Sequence, residues 1–359
     1  MITLYKLKVV HLLNTSKYSG AENVAITLIQ SLKEDVDCIY VSPSGSISDV
    51  LKKNNIKHYA LKGNKITFSE LKKMIKKVKP DIIHAHDFTA SILSSISCFK
   101  IPIISHLHNN PLWIQGLNFK SLLYYFSLIR YKKVLAVSDA VVNEFYFSKK
   151  IKSKSLVIGN PFDKKSVLNK ATEKYGNVHY DLIFIGRLTD QKSPLFFVDI
   201  VSELTKNIPD IKVAIIGDGE LKQEILKKIQ ENNIEKNVVM CGFLENPYAV
   251  LNNSKILCIP SKWEGFGLVA LEAISLGKPV VAASVGGLVN IVNDQCGKLC
   301  IDKNEYVREI SNLLLDEEYY CLKSTGALQR SCDFDNLDKY KIKIKNIYIK
   351  ISGVENDSI

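Results

Sequence analysis

Two glutamates stand close together in a segment that is otherwise apolar and rich in glycine. Residues 260–282 read PSKWEGFGLVALEAISLGKPVVA, so that Glu264 precedes an apolar run and Glu272 lies inside it. Gly265 and Gly267 stand where this run should begin a helix, and glycine lets backbone N–H groups approach an anion closely at such a point. The segment therefore predicts an anion-binding loop between a strand and a helix.

Each glutamate also has a purely structural interpretation. Glu264 could stabilise the positive end of the helix dipole, and Glu272 could be a surface residue. A carboxylate on an apolar helix is costly to bury without a partner, so a buried Glu272 would have to bind something. The spacing alone leaves these interpretations open.

Four histidines stand near the ends of two apolar runs, His84 and His86 in one and His106 and His108 in the next. His106 and His108 are two residues apart, so they lie on the same side of their predicted strand. A metal site is one interpretation of the four, but no carboxylate or cysteine stands beside them at a metal-ligand spacing. We therefore expect no metal site.

Short apolar runs alternate with amphipathic stretches along the chain, a pattern typical of parallel sheets covered by helices. The predicted strands are residues 7–13, 38–41, 82–86, 102–108, 134–138 and 156–160 in a first series, and 180–186, 212–217, 238–241, 256–260 and 279–282 in a second. The predicted helices include residues 22–32, 70–78, 194–205, 221–229 and the basic tail 337–351. Two such series predict an α/β protein with two doubly wound domains.

The boundary between the two domains is predicted at Asn160 and Pro161, a dipeptide that favours a turn. The polar residues 164–177 that follow show no apolar periodicity. We therefore predict an N-terminal domain over residues 1–162, a second domain over 163–334, and a C-terminal helix within 335–359.

Positive charge is concentrated in the first domain. The 359 residues carry a net charge of +11; residues 1–163 hold 23 basic and 11 acidic residues, and the remainder holds 25 and 26. This asymmetry suggests an anionic partner for the first domain, such as a membrane, nucleic acid or an acidic substrate. A lysine-rich genome composition is the alternative explanation of the excess.

Several classes of protein are disfavoured by what the sequence lacks. The eight cysteines show no CxxC spacing, the beginning of the chain shows no signal-peptide cleavage pattern, and no run of about 20 apolar residues could span a bilayer. We expect a reduced cytoplasmic protein that is either soluble or peripheral to a membrane.

Glu264 and Glu272, with seven residues between them, resemble the E-x7-E element of glycosyltransferase family four, whose retaining enzymes have the GT-B fold. Further resemblances follow in the family's order: Ser19-Gly20-Ala21-Glu22, DIIHAHD (81–87), IPIISHLH (101–108), AVSDAV (136–141), VIGNPFD (157–163), FIGRLTDQKSP (184–194) and IIGDGE (215–220). The resemblance implies two Rossmann-like domains, with helices on both faces of each parallel sheet, that face each other across a cleft. It also implies that the C-terminal helix within 335–359 crosses back to the first domain.

The resemblance also implies a donor site in the second domain. Arg187 and Lys192 would bind the donor diphosphate, because two cations stabilise the charge that builds on a leaving phosphate; an ordinary basic turn is the alternative. Glu272 would accept both ribose hydroxyls, and Glu264 would bind hydroxyls of the donor sugar. The implied donor-binding residues are Gly20, Gly186, Arg187, Lys192, Glu264, Gly265, Phe266, Gly267, Leu268 and Glu272.

In the first domain, the resemblance implies that His108 is the active-site histidine that points at the transferred sugar, with His106 as the alternative assignment. The implied catalytic residues are His108, Arg187, Lys192 and Glu264. His86 and His106 would line the acceptor cleft, with a purely structural role as the alternative for His86. Ser19 stands where the family usually has glycine, so the conformation of the loop before Gly20 is open.

The implied reaction is retaining transfer of a sugar, a UDP-linked hexose or N-acetylhexosamine, to a saccharide or lipid-linked saccharide in bacterial surface polysaccharide synthesis. The sugar nucleotide is a co-substrate, and we expect no cofactor, no metal requirement for catalysis and no nucleic-acid partner. Residues 112–134 read as one amphipathic helix with aromatic and basic side chains, and residues 72–79 add a basic surface. Both suggest contact with an anionic membrane at its inner face, although the aromatic residues could instead pack on the first sheet.

Three other functions are alternatives to sugar transfer. A GT-B sugar-nucleotide epimerase would release free sugar without an acceptor, and a non-catalytic GT-B subunit would bind sugar nucleotide and activate a partner. A dinucleotide-dependent oxidoreductase is disfavoured, because Lys222 occupies the third glycine position after Gly217 and Gly219.

Overall fold

The computed structural model describes residues 6–173 and 178–353. The strands are β1 (Lys8–Leu12), β2 (Asp37–Pro43), β3 (His58–Leu61), β4 (Ile82–Ala85), β5 (Ile103–Leu107), β6 (Tyr131–Ala136), β7 (Ser155–Val157), β8 (Tyr180–Ile185), β9 (Val213–Ile216), β10 (Val238–Gly242), β11 (Ser254–Ile259), β12 (Val280–Ala283) and β13 (Gly297–Cys300). The α-helices are α1 (Gly20–Leu32), α2 (Ile47–Lys53), α3 (Phe68–Val78), α4 (Phe88–Ser97), α5 (Phe119–Ser127), α6 (Asp139–Asn143), α7 (Ser148–Lys152), α8 (Lys164–Ala171), α9 (Pro194–Leu204), α10 (Lys222–Glu231), α11 (Tyr248–Asn252), α12 (Leu268–Ser275), α13 (Leu288–Ile291), α14 (Lys303–Leu315), α15 (Glu317–Ser331) and α16 (Leu337–Ser352). Short 3-10 helices cover Leu112–Gln115, Asp190–Lys192 and Cys332–Phe334.

The chain divides into two compact units, one formed by the chain up to Pro161 together with the segment from Asn336 onward, the other by Phe162–Asp335. The first unit contains a seven-stranded sheet in the order β3-β2-β1-β4-β5-β6-β7, and the second a six-stranded sheet in the order β10-β9-β8-β11-β12-β13. The strand pairs described are all parallel. The strand order reverses between β1 and β4 and between β8 and β11, and such reversals open a binding crevice at the carboxyl ends of the strands.

The eleven predicted strands correspond to β1, β2 and β4 to β12, including the edge strands β7 and β10, whereas β3 and β13 were not predicted. Both lie at a sheet edge and are only partly buried. An edge strand does not need apolar residues on both faces, so it can lack the continuous apolar run that identifies a central strand.

The boundary and the polar stretch after it differ in detail from the prediction. Phe162 belongs to the second unit, because its side chain is buried in that unit's core. Residues 164–177 include helix α8, which was not predicted. The Asp163 carboxylate accepts a hydrogen bond from the backbone N–H of Ser166 and so caps this helix. Residues 174–177 of this stretch lie outside the described residues.

The prediction of one amphipathic helix over residues 112–134 is wrong. Asn118 accepts a hydrogen bond from the backbone N–H of Ser121 and starts α5 as a separate helix, after the 3-10 turn at Leu112–Gln115. The chain then enters β6 at Tyr131. Tyr124 and Tyr131 are buried, so part of the aromatic set packs inside the first unit.

The C-terminal helix α16 packs on the first unit. Tyr340, Ile344 and Tyr348 lie in the same core as β1 and α1, and two lysines of the helix pair with Asp35. Within the described residues, none of the helices combines the length and apolar character needed to cross a membrane.

Candidate active site

The loops after β8 and β11 are joined by an ion pair. Gly186 follows β8, and its backbone N–H donates to the carbonyl of Ile216 at 3.0 Å. Beyond it, Lys192 donates from Nζ to Oε2 of Glu264, which follows β11, at 2.5 Å. Both side chains are mostly buried yet keep some exposure. Two predicted site residues that are far apart in sequence therefore meet at the reversal of strand order.

Gln191 joins the same two loops and was not predicted from the sequence. Its side-chain oxygen accepts from Nη2 of Arg187 at 3.1 Å, and its side-chain nitrogen donates to the carbonyl of Trp263 at 3.1 Å. The backbone N–H of Lys262 donates to the Gln191 carbonyl at 2.8 Å. These contacts orient the Arg187 guanidinium, but two of the three partner atoms are backbone atoms far away in sequence, so no local pattern marks Gln191.

Two glycines after β12 let the Glu264 loop pack closely. A Cβ at Gly286, whose φ is +52°, would lie 1.7 Å from the Glu264 carbonyl oxygen, and a Cβ at Gly287 would lie 2.4 Å from the backbone of Phe266. Gly287 also donates its N–H to the Glu264 carbonyl at 3.1 Å. The Gly-Gly dipeptide was the sequence signal that could have revealed this contact.

The start of helix α12 is built from glycine and not from a capping side chain. Gly267 precedes the helix with φ of +102°, a left-handed conformation that favours glycine. The residue at the N-cap, Gly267, has no side chain that could cap the helix, and the interpretation that Glu264 stabilises the helix dipole stays a prediction. Gly265 and Phe266 lead into Leu268, where the backbone N–H groups of the first turn lack an intrahelical acceptor and could meet an anion.

Glu272 lies inside α12 and is buried, so its interpretation as a surface residue is wrong. The hydroxyl of Tyr248 donates to Oε1 of Glu272 at 3.0 Å. Burial raises the pKa of the Glu272 carboxyl to about 7, although the Tyr248 hydrogen bond and the charge of Lys170 act in the opposite direction. The carboxyl therefore changes charge near neutral pH. Tyr248 and Lys170 were not predicted as site residues.

Gly20 begins helix α1 after Ser19, which is extended. The Ser19 hydroxyl donates to Oε2 of Glu22 at 2.5 Å, an N-terminal contact that a glycine at this position could not make. A Cβ at Gly20 would have nothing within 4 Å. Nothing in the chain itself requires glycine there, and its role toward a diphosphate stays a prediction.

The four predicted histidines lie together in the first unit, and His11 of β1 joins them. His11 Nδ1 lies 3.0 Å from His86 Nε2, and His86 Nδ1 lies 3.0 Å from His108 Nε2. His84 Nε2 lies 3.1 Å from His106 Nδ1. His11 was not predicted from the sequence, because only the order of the strands in the sheet places it directly beside His84.

Burial keeps these imidazoles neutral. Desolvation lowers the pKa of His11 and of His108 to about 3, and it lowers the pKa values of His84, His86 and His106 well below the usual range. His108 follows β5 and keeps partial exposure, whereas the other four are fully buried.

Comparison with known families covers both units. The family model described as Glycosyltransferase Family 4 matches residues 18–165, and the one described as Glycosyl transferases group 1 matches residues 169–322. The chain belongs to glycosyltransferase family 4. The expected GT-B architecture of two Rossmann-like domains with parallel sheets is confirmed for this glycosyltransferase by its two sheets and by its structural neighbours.

Relatives of this glycosyltransferase include an uncharacterized glycosyltransferase of Methanocaldococcus jannaschii, 32% identical over 231 residues that span 58% of this chain and 57% of that protein. The UDP-Gal:alpha-D-GlcNAc-diphosphoundecaprenol alpha-1,3-galactosyltransferase of Escherichia coli is 26% identical over 96% of this chain and 97% of that enzyme. The Anabaena protein HepE, solved in complex with UDP and glucose, has a TM-score of 0.84 at 20% identity, covering 95% of this chain and 99% of that one. At this identity, the last comparison shows the fold alone.

Proposed function

We propose that this glycosyltransferase moves a hexose or N-acetylhexosamine from a UDP-sugar to a saccharide or lipid-linked saccharide, with retention at the anomeric carbon, in bacterial surface polysaccharide synthesis. The observation that carries the proposal is the Lys192–Glu264 ion pair beside the glycine-built start of α12, with Glu272 buried in the same helix. The similarity to an Escherichia coli enzyme named for UDP-galactose and a diphosphoundecaprenol acceptor supports the donor and the acceptor class.

The donor diphosphate would be held by cations and backbone N–H groups. An ammonium has three N–H donors, so Lys192 could keep its bond to Glu264 and still bind phosphate oxygens. The guanidinium of Arg187, oriented by Gln191, would supply a second cation. Together with the N-terminus of α12, these groups would stabilise the leaving diphosphate, and we propose that the donor site works without a metal or other cofactor.

The uridine ribose would be bound by Glu272. Its carboxyl offers two oxygens to the two ribose hydroxyls, and Tyr248 now donates to one of them. A pKa of about 7 places the carboxyl at the midpoint of ionisation near neutral pH. Because hydroxyl donors favour the ionised form, nucleotide binding would lower this pKa.

The chemical step would follow the family's retaining course. The acceptor hydroxyl oxygen forms the new bond to the anomeric carbon on the face from which the diphosphate leaves, the carbon–oxygen bond to the β-phosphate breaks, and the hydroxyl proton passes to a phosphate oxygen. We therefore assign no protein general base. The role of His108 toward the transferred sugar, and those of His86 and His106 toward the acceptor, stay predictions.

Thermal unfolding with a panel of nucleotides and sugar nucleotides tests the donor site. A ligand at about 100 times its Kd adds about 2.7 kcal/mol to the free energy of unfolding. We expect UDP and one UDP-sugar to raise Tm, and Lys192→Ala and Glu272→Gln to reduce that rise. Lys206→Ala is the matched control, since it removes an exposed lysine whose ion pair with Glu203 lies elsewhere. A panel without any shift would contradict the donor site.

Product analysis separates transfer from the alternatives. Incubation of a labelled UDP-sugar with undecaprenyl-diphosphate-linked saccharide should give labelled lipid-linked product. Label released as free sugar without acceptor would identify an epimerase instead. Donor binding with neither product would favour the non-catalytic subunit.

We also propose that the first unit contacts the cytoplasmic face of an anionic membrane. Phe119, Leu123 and Phe126 are exposed at i, i+4 and i+7 of α5, which places them on one side of the helix, with Phe119 75% and Phe126 61% exposed. Arg130, whose guanidinium carbon lies 5.4 Å from the ring centroid of the exposed Phe99, adds a cation close to this surface. Apolar side chains bordered by basic ones suit the boundary between acyl chains and anionic headgroups.

Cosedimentation with vesicles of phosphatidylglycerol and phosphatidylethanolamine tests this contact. We expect binding at low salt, and weaker binding as the fraction of anionic phosphatidylglycerol is lowered. The Phe119→Ser/Phe126→Ser double variant should lose most of this binding. Ile301→Ser in the second unit is the control, because it removes an apolar side chain that is 86% exposed. Equal binding by the double variant and the wild type would place the membrane contact elsewhere, and no binding by the wild type would contradict it.

A further inference from the structure

Three imidazoles form a compact set at the carboxyl edge of the first sheet. One ring nitrogen from each of His86, His106 and His108 lies within 4.8 Å of the other two. The register of the sheet explains this proximity: β4 pairs in parallel with β5, His86 continues β4 by one residue, and His106 lies at the matching level of β5. His108 follows on the same side two residues later.

Two nitrogens of this set, His106 Nε2 and His108 Nδ1, are buried and make no hydrogen bond within the described residues. His106 is fully buried, and its Nε2 makes no hydrogen bond there. Buried polar atoms in folded proteins are nearly always bonded, so a buried imidazole lone pair or N–H without a partner calls for one.

In His86 and His106, the other ring nitrogen already contacts a histidine outside this set. His11 Nδ1 contacts Nε2 of His86 at 3.0 Å, and His84 Nε2 contacts Nδ1 of His106 at 3.1 Å. His84 is in turn bonded through Nδ1 to the hydroxyl of Tyr348 at 2.6 Å. Histidines that ligate a metal almost always have their other ring nitrogen bonded in this way, which fixes the tautomer and the ring orientation.

We propose that His86, His106 and His108 form a binding site for one divalent transition ion, with Zn²⁺ as the best fit. Three imidazoles with a fourth position left to water are a donor set that Zn²⁺ uses in proteins. Nδ1 of His86 and Nε2 of His106 are the nitrogens left for the ion, and the partly exposed His108 provides the route by which it enters.

Binding requires the His106 nitrogen, which lies within 4.8 Å of the other two, to move toward them, whereas the nitrogens of His86 and His108 are already close enough. Nitrogens that share a tetrahedral Zn²⁺ stand roughly 3.3 Å apart, and His86 Nδ1 already lies 3.0 Å from His108 Nε2. A hydrogen bond between these two nitrogens places a proton where the ion would bind. Both nitrogens are free of hydrogen in a tautomer in which His86 carries its hydrogen on Nε2 and donates it to His11. No net proton has to leave the protein.

A bound ion would change what His108 can do. Its imidazole would be engaged by the metal and withdrawn from the transferred sugar, so the ion would inhibit transfer while leaving donor binding in the second unit unchanged. This consequence rests on the proposed function, whereas the metal site itself does not.

Titration of the chelator-treated full chain with Co²⁺ tests the site directly. We expect one equivalent to bind with the visible absorption of an imidazole-ligated ion, to be displaced by Zn²⁺, and to lack the intense charge-transfer band of a thiolate ligand. A thiolate band would move the metal to the cysteines and overturn the proposal, as would the absence of saturable binding.

Variants locate the ion. His86→Gln and His106→Gln should weaken Co²⁺ binding at least tenfold, whereas His58→Gln, which removes a histidine of the same unit bonded to Ser42, and His179→Gln in the second unit should not. Circular dichroism shows whether each variant is folded. If a variant is not folded, imidazole nitrogen NMR of the wild type tests the site instead. Zn²⁺ should shift the nitrogen signals of three cluster histidines, and unchanged signals would show that the cluster binds no metal.

Activity then separates the two levels of the proposal. With transferase activity established, Zn²⁺ should inhibit at the concentration at which it fills the site, while the Tm rise given by UDP persists. Inhibition without Co²⁺ binding, or binding without inhibition, would overturn the consequence for His108. A chain that binds Co²⁺ but transfers no sugar would refute the proposed function and leave the metal site standing.

Discussion

The two units bury polar side chains at strand ends in opposite ways. In the first unit, five imidazoles are bonded mainly to one another through ring nitrogens and stay neutral. In the second, Lys192 and Glu264 form a charged pair, and Glu272 lies in an apolar helix with the Tyr248 hydroxyl on one oxygen. A neutral imidazole needs only hydrogen bonds to be buried, whereas a charge needs an opposite charge or strong donors.

This difference gives protons opposite effects on the two units. The folded first unit resists protonation, because burial lowers the pKa of each cluster histidine. The folded second unit favours protonation at Glu272, because burial raises the pKa of that carboxyl. Acid should therefore destabilise the histidine cluster and stabilise the surroundings of α12.

The largest expected effect is the loss of stability of the first unit in mild acid. A histidine whose pKa falls from 6.5 to about 3 on folding stabilises the fold fully above pH 6.5, and each pH unit below that costs about 1.4 kcal/mol. For His11 and His108 together the loss at pH 5.5 is on the order of 3 kcal/mol, and His84, His86 and His106, whose pKa values are also lowered by burial, add to it in the same direction. Hydrogen exchange with a chelator present should show β4 and β5 losing protection between pH 7 and 5.5.

The matched comparison for this acid effect is β11 in the other sheet, which is buried except at Lys255 and carries no histidine. Its protection should change much less over the same range. Equal loss in β4 and β11 would mean that acid unfolds the chain as a whole, and unchanged protection of β4 would contradict the neutral cluster.

The next effect concerns the charged pair of the second unit. Lys192→Ala removes the cation that would stabilise the leaving diphosphate and leaves the Glu264 carboxylate without its partner. We expect kcat to fall by about 10²–10³, equivalent to about 3–4 kcal/mol in the barrier. Lys192→Arg should recover part of this rate, since it keeps a cation at that place. A kcat within threefold of the wild type in Lys192→Ala would exclude a role in leaving-group stabilisation.

The sequence predicted the strand-end loops better than the contacts between them. Central strands such as β4 are recognisable because both faces are apolar, and Glu264 and Glu272 stand out because carboxylates interrupt an apolar run. Contacts between loops depend on which strands are neighbours. Lys192 meets Glu264 only because β8 lies beside β11, an order that no local pattern specifies.

The histidine cluster is a second case in which the contacts depend on which strands are neighbours. The pairs His84/His86 and His106/His108 could be placed on strands, but the absence of carboxylate or cysteine spacing argued against a metal site. Sheet register brings these pairs together and adds His11 from a strand about 70 residues earlier. The assignment of each residue to donor or acceptor still rests on family resemblance.

A smaller effect should distinguish Glu272 from an ordinary buried glutamate. The pKa of its carboxyl is about 7 in the folded chain against 4.5 for an exposed glutamate, so its contribution to stability is most favourable below pH 4.5 and is lost as pH rises to 7. The loss is at most about 3 kcal/mol. Protection of α12 should therefore fall from pH 5 to 8 in the wild type, and Glu272→Gln, which does not titrate, should remove that slope.

Glu309→Gln is the control for this slope, because Glu309 is also buried and accepts a tyrosine hydroxyl, from Tyr319 at 2.9 Å. It leaves Glu272 in place, so the fall in α12 protection should persist. A slope that survives in Glu272→Gln would assign the pH dependence to another group.

The smallest expected effect concerns the contact between the C-terminal helix α16 and the histidine cluster. Tyr348→Phe removes the hydroxyl that contacts Nδ1 of His84 at 2.6 Å and leaves a buried nitrogen without a partner, which should lower the free energy of unfolding by about 1–2 kcal/mol. Tyr340→Phe, on the same helix, removes a buried hydroxyl that makes no hydrogen bond within the described residues, so it should cost nothing or stabilise slightly. Urea unfolding of both variants at pH 7.5 makes the comparison. Equal losses would mean that α16 contributes only apolar packing to the cluster, and a loss confined to Tyr348→Phe would make the tail helix part of the chain of hydrogen bonds that holds the first unit's imidazoles neutral.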